Sequence, residues 1–187
     1  MDTPPPDPER FLSLLRPLER ELEIYARRMT SSVDLGSDAL QNAVLKAFRH
    51  FDRYHPEASF RAWIYTILTN EIRAMNRSRR KIECRELPAE EEMLGAVSGE
   101  PSLWSCWDGD EDALYERLDD GVVRALQSLS VNERAVLLLR GVADLQYRDI
   151  AETLGIPMGS VMGHLSRARQ KTREALLRQT NRRKRSP

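Results

Sequence analysis

Between residues 155 and 173 the chain reads GIPMGSVMGHLSRARQKTR, and four of its last seven positions carry fixed positive charge: Arg167, Arg169, Lys171 and Arg173. A second cationic run, NRSRRK over 76–81, puts Arg77, Arg79, Arg80 and Lys81 within six residues. Guanidinium and ammonium groups at this density neutralise phosphates. Cations at a helix C-terminus also meet the macrodipole, but at roughly 0.3–1 kcal/mol each that accounts for one or two of the four. Reactive constellations are not apparent. Cys84 and Cys106 stand 22 positions apart, with no Cys-x-x-Cys and no Cys/His cluster beside them, which argues against a zinc site or a disulfide framework. His50, His55 and His164 are scattered, and neither a glycine-rich phosphate loop nor a nucleophile–base–orienter set appears. The expectation is a chain that binds rather than reacts, with no catalytic residues, no metal and no cofactor.

Net charge is zero over 187 residues, but its distribution is uneven. Residues 1–81 carry 14 basic and 11 acidic side chains, 82–120 carry 2 and 13, and 121–187 carry 13 and 5. Two basic blocks flank an acidic one, and local field rather than net charge governs association with polyanions. The composition, rich in Leu, Ala, Arg and Glu, favours a mostly helical protein of one or two domains. No run of about 18 apolar residues appears, and MDTPPPDPER lacks the order of a signal peptide. No membrane insertion and a cytoplasmic address are therefore expected.

Positioning elements follow from periodicity. Residues 1–8 are Pro- and Asp-rich, a disordered tail by composition. Phe11, Leu14, Leu15, Leu18, Leu22, Tyr25, Ala26 and Met29 form a helical stripe, with a kink expected at Pro17. Ser37 or Asp38 is the expected cap of a second helix, whose inner face is Leu40, Ala43, Val44, Ala47, Phe48 and Phe51. Ser59 caps a third, with Phe60, Trp63, Ile64, Ile67, Leu68, Ile72 and Met75 inward. Residues 82–116 read as an acidic linker containing Trp104 and Trp107. After it come a helix around 121–129, a capping box from Ser130 to Glu133, and a helix through Leu139. The fold class is all-α, two small helical domains over 9–81 and 117–179, with a basic tail at 180–187.

Residues 147–176 carry the most specific local signal. A short helix with Ile150, Ala151 and Leu154 inward ends at Gly155, which suits the left-handed C-terminal position. Pro157 opens a longer helix with the stripe Val161, Leu165, Ala168, Thr172 and Leu176. This is a helix-turn-helix pattern, whose second helix enters a major groove. Helix geometry directs Ser160, Met162, Gly163, His164, Arg167 and Lys171 away from the buried stripe, and Arg167, Arg169, Lys171 and Arg173 are expected to form one cationic sector for phosphates.

Beyond these patterns, SDALQNAVLKAFRHFDRYHPEASFRAWIYTILTNEIRAMNRSRRK and ALQSLSVNERAVLLLRGVADLQYRDIAETLGIPMGSVMGHLSRARQKTREAL resemble, in order, the two conserved domains of extracytoplasmic-function (ECF) sigma factors of bacterial RNA polymerase. The Asp-x-x-Gln helix, the Phe-x-x-Trp that follows and Asn70, seven residues after Trp63, are the most particular features. The resemblance implies a non-enzymatic factor that binds core RNA polymerase and promoter DNA. By it, Asp38, Gln41, Asn42 and Leu45 dock on the polymerase clamp, Asn42 standing where the family commonly has Glu. The loop 51–59, with Tyr54 and His55, captures a base flipped from the melted −10 element. Asn70 reads −10 bases, with Arg61, Thr66, Arg73, Arg77, Arg79 and Arg80 along the strand. Tyr147, Gly159, Ser160, Met162, Gly163, His164, Arg167, Arg169 and Lys171 face the −35 duplex. Gly159-Ser160-Val161 fits the family, whereas Gly163-His164 replaces its usual Ser-Arg. The acidic linker threads the polymerase cleft, and an anti-sigma protein is the expected regulator. Two other readings remain: a free-standing helix-turn-helix regulator, and a sigma-like module that titrates partners.

Overall fold

The computed structural model describes residues 7–30, 32–83 and 120–183, with the backbone alone for 79–83, 120, 121, 123 and 179–183. Every regular element among them is helical, as the composition and the 3.6-residue stripes require. Helix α1 spans Pro8–Leu15, and the Asp7 carboxylate caps it by accepting from the Glu9 and Arg10 N–H groups at 3.0 and 3.2 Å. Pro17 interrupts the stripe through a 3-10 turn over Arg16–Leu18, after which α2 runs Glu19–Met29. Helices α3 (Val33–Arg49) and α4 (Phe60–Glu83) close the first half. Ser59 caps α4 as expected, its Oγ accepting from the Ala62 N–H at 3.3 Å.

The start of α3 differs from expectation. Ser32, not Ser37 or Asp38, is the cap, and its Oγ accepts from the Leu35 N–H at 3.3 Å. Gly36 therefore lies inside the helix rather than breaking it. A Cβ there would sit 3.0 Å from Cα and N of Arg27, so the missing side chain lets α3 approach the α2 backbone. Gly36→Ala gains up to about 1 kcal/mol of helix propensity but forces two backbones apart. The expected net loss is about 1–2 kcal/mol, a fall of roughly 2–8 °C in thermal midpoint by calorimetry. A rise would show that the backbone contact is dispensable.

Aromatic rings fill one end of this half. Phe11 meets Phe48, Phe51 and Phe60 edge-on at centroid distances of 5.3, 5.2 and 5.9 Å. Tyr25 and Tyr65, both fully buried, pack edge to face at 5.3 Å. The Tyr25 hydroxyl bonds Thr69 Oγ1 at 2.8 Å, and burial pushes its pKa up to about 12.

The second half comprises α5 (Asp120–Gln127), α6 (Val131–Gly141), α7 (Tyr147–Leu154) and α8 (Met158–Arg183). Helix α8 thus continues past residue 179. Arg134 donates to the Leu126, Gln127 and Leu129 carbonyls, which ties the end of α5 to α6. The capping box is present in both directions: Glu133 N–H to Ser130 Oγ at 3.3 Å and Ser130 N–H to Glu133 Oε2 at 3.0 Å. Gly155 adopts φ 65°, the left-handed geometry that ends α7 and aims α8.

These two halves share one buried apolar cluster, from Phe11 to Ala168. They meet along a seam where α2 touches α6 and α4 lies against α7. Residues 84–119, which hold most of the acidic segment, both cysteines and Trp104 and Trp107, lie outside the described residues.

Candidate nucleic-acid interface

Helix α4 carries the residues expected to follow a DNA strand, and the fold divides them. Asn70 and Arg77 are exposed. Arg79 and Arg80 lie on the last turns, where only the backbone is described. Three others line the seam. Thr66 Oγ1 is 3.0 Å from Thr153 Oγ1 on α7. Arg73 donates to the Leu154 carbonyl at 2.9 Å and to Asn132 Oδ1 at 3.4 Å. Arg61 pairs with Glu21 and reaches the Ala143 carbonyl at 3.4 Å. The candidate base-capture loop is held by its own contacts: the Tyr54 ring stacks on Phe51 at 5.7 Å and 12°, and its hydroxyl donates to the Ala58 carbonyl at 3.0 Å. His55 is exposed, and Trp63 sits half-buried against Phe51, Tyr54 and Phe60.

Asp38, Gln41, Asn42 and Leu45 all lie on the exposed side of α3. Leu45 is 49% exposed, an apolar side chain on a mostly polar helix face. With Gln41 it borders an open apolar groove of about 570 Å³ between α1 and α3, floored by Phe11, Leu15, Val44 and Phe48.

The helix-turn-helix is α7, the Gly155 turn and α8. Met158 and Met162 are 51% and 46% exposed at the start of α8, Ser160 is half-buried, and a Cβ on Gly159 would meet nothing within 4 Å. Among the described residues nothing packs against Gly159, and its backbone stands open. At Gly163 a Cβ would make ordinary contact with Arg167 Nη1 at 3.5 Å, and nothing in the fold requires glycine there. Tyr147 is half-buried against the core.

The expected single cationic sector is divided between two faces. Lys171 Nζ lies 3.0 and 2.9 Å from the two carboxylate oxygens of Glu133, and Arg167 Nε lies 3.4 Å from Oε1. Arg169 is half-buried with its Nε shielded from solvent, and Arg173 is exposed. Glu133 is only 3% exposed. Burial pushes its pKa up, but the Lys171 ammonium and the Ser130 contacts outweigh that and hold it below the ordinary carboxylate range. His164 Nδ1 lies 3.1 Å from Arg167 Nη2. Burial, and next the Arg167 charge, lower its pKa, with Glu133 opposing, which favours the neutral ring. Sequence reasoning assigned Glu133 to the cap alone. Its second set of partners lies 34 and 38 residues downstream, beyond any local pattern.

Two helical modules, one with a helix-turn-helix built on a left-handed turn and the other with a long helix carrying an exposed Asn and a basic end, have the form of a nucleic-acid-binding protein. Family models agree with it: Sigma-70 region 2 matches residues 14–82 and Sigma-70, region 4 matches residues 120–172. The chain is 28% identical over 158 residues to the ECF RNA polymerase sigma factor SigE of Mycolicibacterium smegmatis, covering 83% of this chain and 57% of that one. It is 30% identical over 179 residues to SigG of Mycobacterium tuberculosis, covering 85% of this chain and 46% of the other. It thus spans about half the length of these two relatives. In fold it is similar to the sigma factor RpoE of Bartonella quintana, solved in complex with the anti-sigma factor NepR: TM-score 0.69, 24% identity, 90% of this chain and 97% of that one. The chain belongs to the sigma-70 family of transcription initiation factors, in its ECF group. Among the described residues, no helix is long and apolar enough to cross a membrane.

Proposed function

We propose that the chain binds bacterial core RNA polymerase, reads −35 duplex DNA through α8, reads −10 bases through α4 and helps to melt them. The observation that supports this most is the pairing, in one chain, of a helix-turn-helix with an α4 that carries exposed Asn70 and, over its last two turns, Arg77, Arg79, Arg80 and Lys81. The α3 face with Asp38, Gln41, Asn42 and Leu45 is the proposed polymerase contact. An anti-sigma protein is the proposed regulator, by analogy with the Bartonella complex.

Simultaneous reading of both elements requires the seam to open. Elements named −35 and −10 are about 25 base pairs apart, which at ~3.4 Å per pair is ~85 Å. Arg73 and Leu154, on the two modules, are 2.9 Å apart here. The 36 residues from 84 to 119 could bridge that span, since a fully extended chain of this length reaches at most ~120–130 Å.

Roles within α4 are separable by experiment. Asn70→Ala is expected to reduce strand opening, followed by permanganate reactivity of −10 thymines, by about tenfold, the worth of one base-edge contact of ~1–3 kcal/mol. Binding to closed duplex should stay near wild type, because Asn70 is exposed and its loss disturbs no packing. Equal losses in both assays would remove Asn70 from base reading.

A further inference from the structure

The structure assigns Glu133 a role beyond capping: we propose that it is the specificity-determining positioning residue of α8, holding Arg167 and Lys171 off arbitrary phosphates and orienting His164 toward a base acceptor. This rests on the proposed −35 reading of α8.

Start with charge. Glu133 is buried and accepts from Lys171 at 2.9 and 3.0 Å, while Arg167 Nε lies 3.4 Å from it. If both cations swung out to a phosphate, a desolvated carboxylate would remain unpaired, which proteins tolerate poorly. A bare phosphate offers one charge in exchange for another. Arg167 and Lys171 therefore contribute little to binding DNA of random sequence, although they lie on the outer face of α8.

Orientation follows from donor chemistry. A guanidinium has no acceptor, so at the 3.1 Å contact Arg167 Nη2 donates and His164 Nδ1 accepts. The neutral ring then carries its proton on Nε2. The relay runs from Glu133 to Arg167 to His164, and its last group is the N–H donor of a half-buried imidazole that follows Gly163 on the second turn of α8. Its chemical match is an acceptor on a base edge in the major groove, such as guanine O6 or N7 or thymine O4. Where the resemblance has Ser-Arg, this chain has Gly163-His164, a neutral donor whose direction is set from behind.

Glu133→Gln separates charge from capping, because Gln also serves at this position of a capping box. The full-length protein would be titrated, across a salt series, against a shuffled 30-base-pair duplex and a duplex carrying the −35 region of a promoter mapped by run-off transcription. Wild type is expected to prefer the −35 duplex. Glu133→Gln is expected to bind the shuffled duplex about tenfold tighter. Its salt slope should steepen by about 1–2, at ~0.9 per released cation. Its preference for the −35 duplex should fall about tenfold. Ser130→Ala, which weakens the cap but keeps the charge, should leave slope and preference unchanged. Lys171→Gln provides a second route that leaves Glu133 in place: its slope on shuffled DNA should match wild type. A wild type with no −35 preference would overturn both this inference and the reading beneath it. A wild type with preference, but with slope and preference unaltered in Glu133→Gln, would overturn this inference alone. So would a slope about 1 shallower in Lys171→Gln.

Discussion

Joining Thr66 to Thr153 by a disulfide is expected to abolish promoter-directed transcription, and reduction is expected to restore it. Their hydroxyl oxygens are 3.0 Å apart across the seam, close enough for Thr66→Cys and Thr153→Cys to approach the Cβ separation of ~3.5–4.5 Å that a disulfide needs. Cys84 and Cys106 would be changed to serine first, so that only the engineered pair can react. The magnitudes decide the expected result. The neutral seam hydrogen bonds contribute ~0.5–1.5 kcal/mol each and the Arg73 bonds ~1.5–3, beside the apolar contacts of the shared cluster. If the proposed polymerase and promoter contacts were each of nanomolar affinity, each would supply ~12 kcal/mol. Binding can therefore part a non-covalent seam, but it cannot part a covalent one. Run-off yield before and after dithiothreitol is the measurement. Undiminished yield from the oxidised protein would show that both elements are read without separating α4 from α7.

Leu45→Asp is expected to cost at least ~30-fold in affinity for core polymerase while leaving the fold intact. Leu45 is 49% exposed and beside the apolar groove, with Leu12 40% exposed close by. Covering a leucine contributes about 2 kcal/mol, and a carboxylate there must also be desolvated against apolar neighbours. Losses of 2 kcal/mol or more mark the central residues of an interface. In the free protein the same change faces water, and such surface substitutions alter stability by about 0.5 kcal/mol or less. Fluorescence anisotropy with labelled protein and purified core polymerase gives the affinity, and thermal unfolding gives the control. Wild-type affinity would remove this face of α3 from the polymerase contact.

Much of the fold was legible because its signals are local. Gly155 after Leu154, Pro157 at the start of α8, and the Ser130–Glu133 box are each a steric or hydrogen-bonding requirement within four residues, and all three hold. The start of α3 was misread because Gly36 looks like a break in one dimension. Its reason is the Arg27 backbone at 3.0 Å, which only packing reveals. The cationic sector was misread for a different cause. At 100° per residue, Arg167 and Lys171 share a face at i, i+4, whereas Arg169 points nearly opposite. Periodicity therefore already separated them, although it could not place Glu133 opposite the first pair. The seam was illegible: Thr66 and Thr153 are 87 residues apart, and Arg73 reaches a backbone carbonyl, which leaves no mark on sequence.

Run-off transcription tests the proposed promoter reading most directly. Purified core polymerase and this protein would be incubated with genomic fragments and the transcript 5′ ends mapped. The predicted result is a set of discrete starts that require the protein and share one sequence element near −35 and another near −10. Transcripts absent while the protein still binds duplex DNA specifically would contradict it, and would make the chain a free-standing helix-turn-helix regulator.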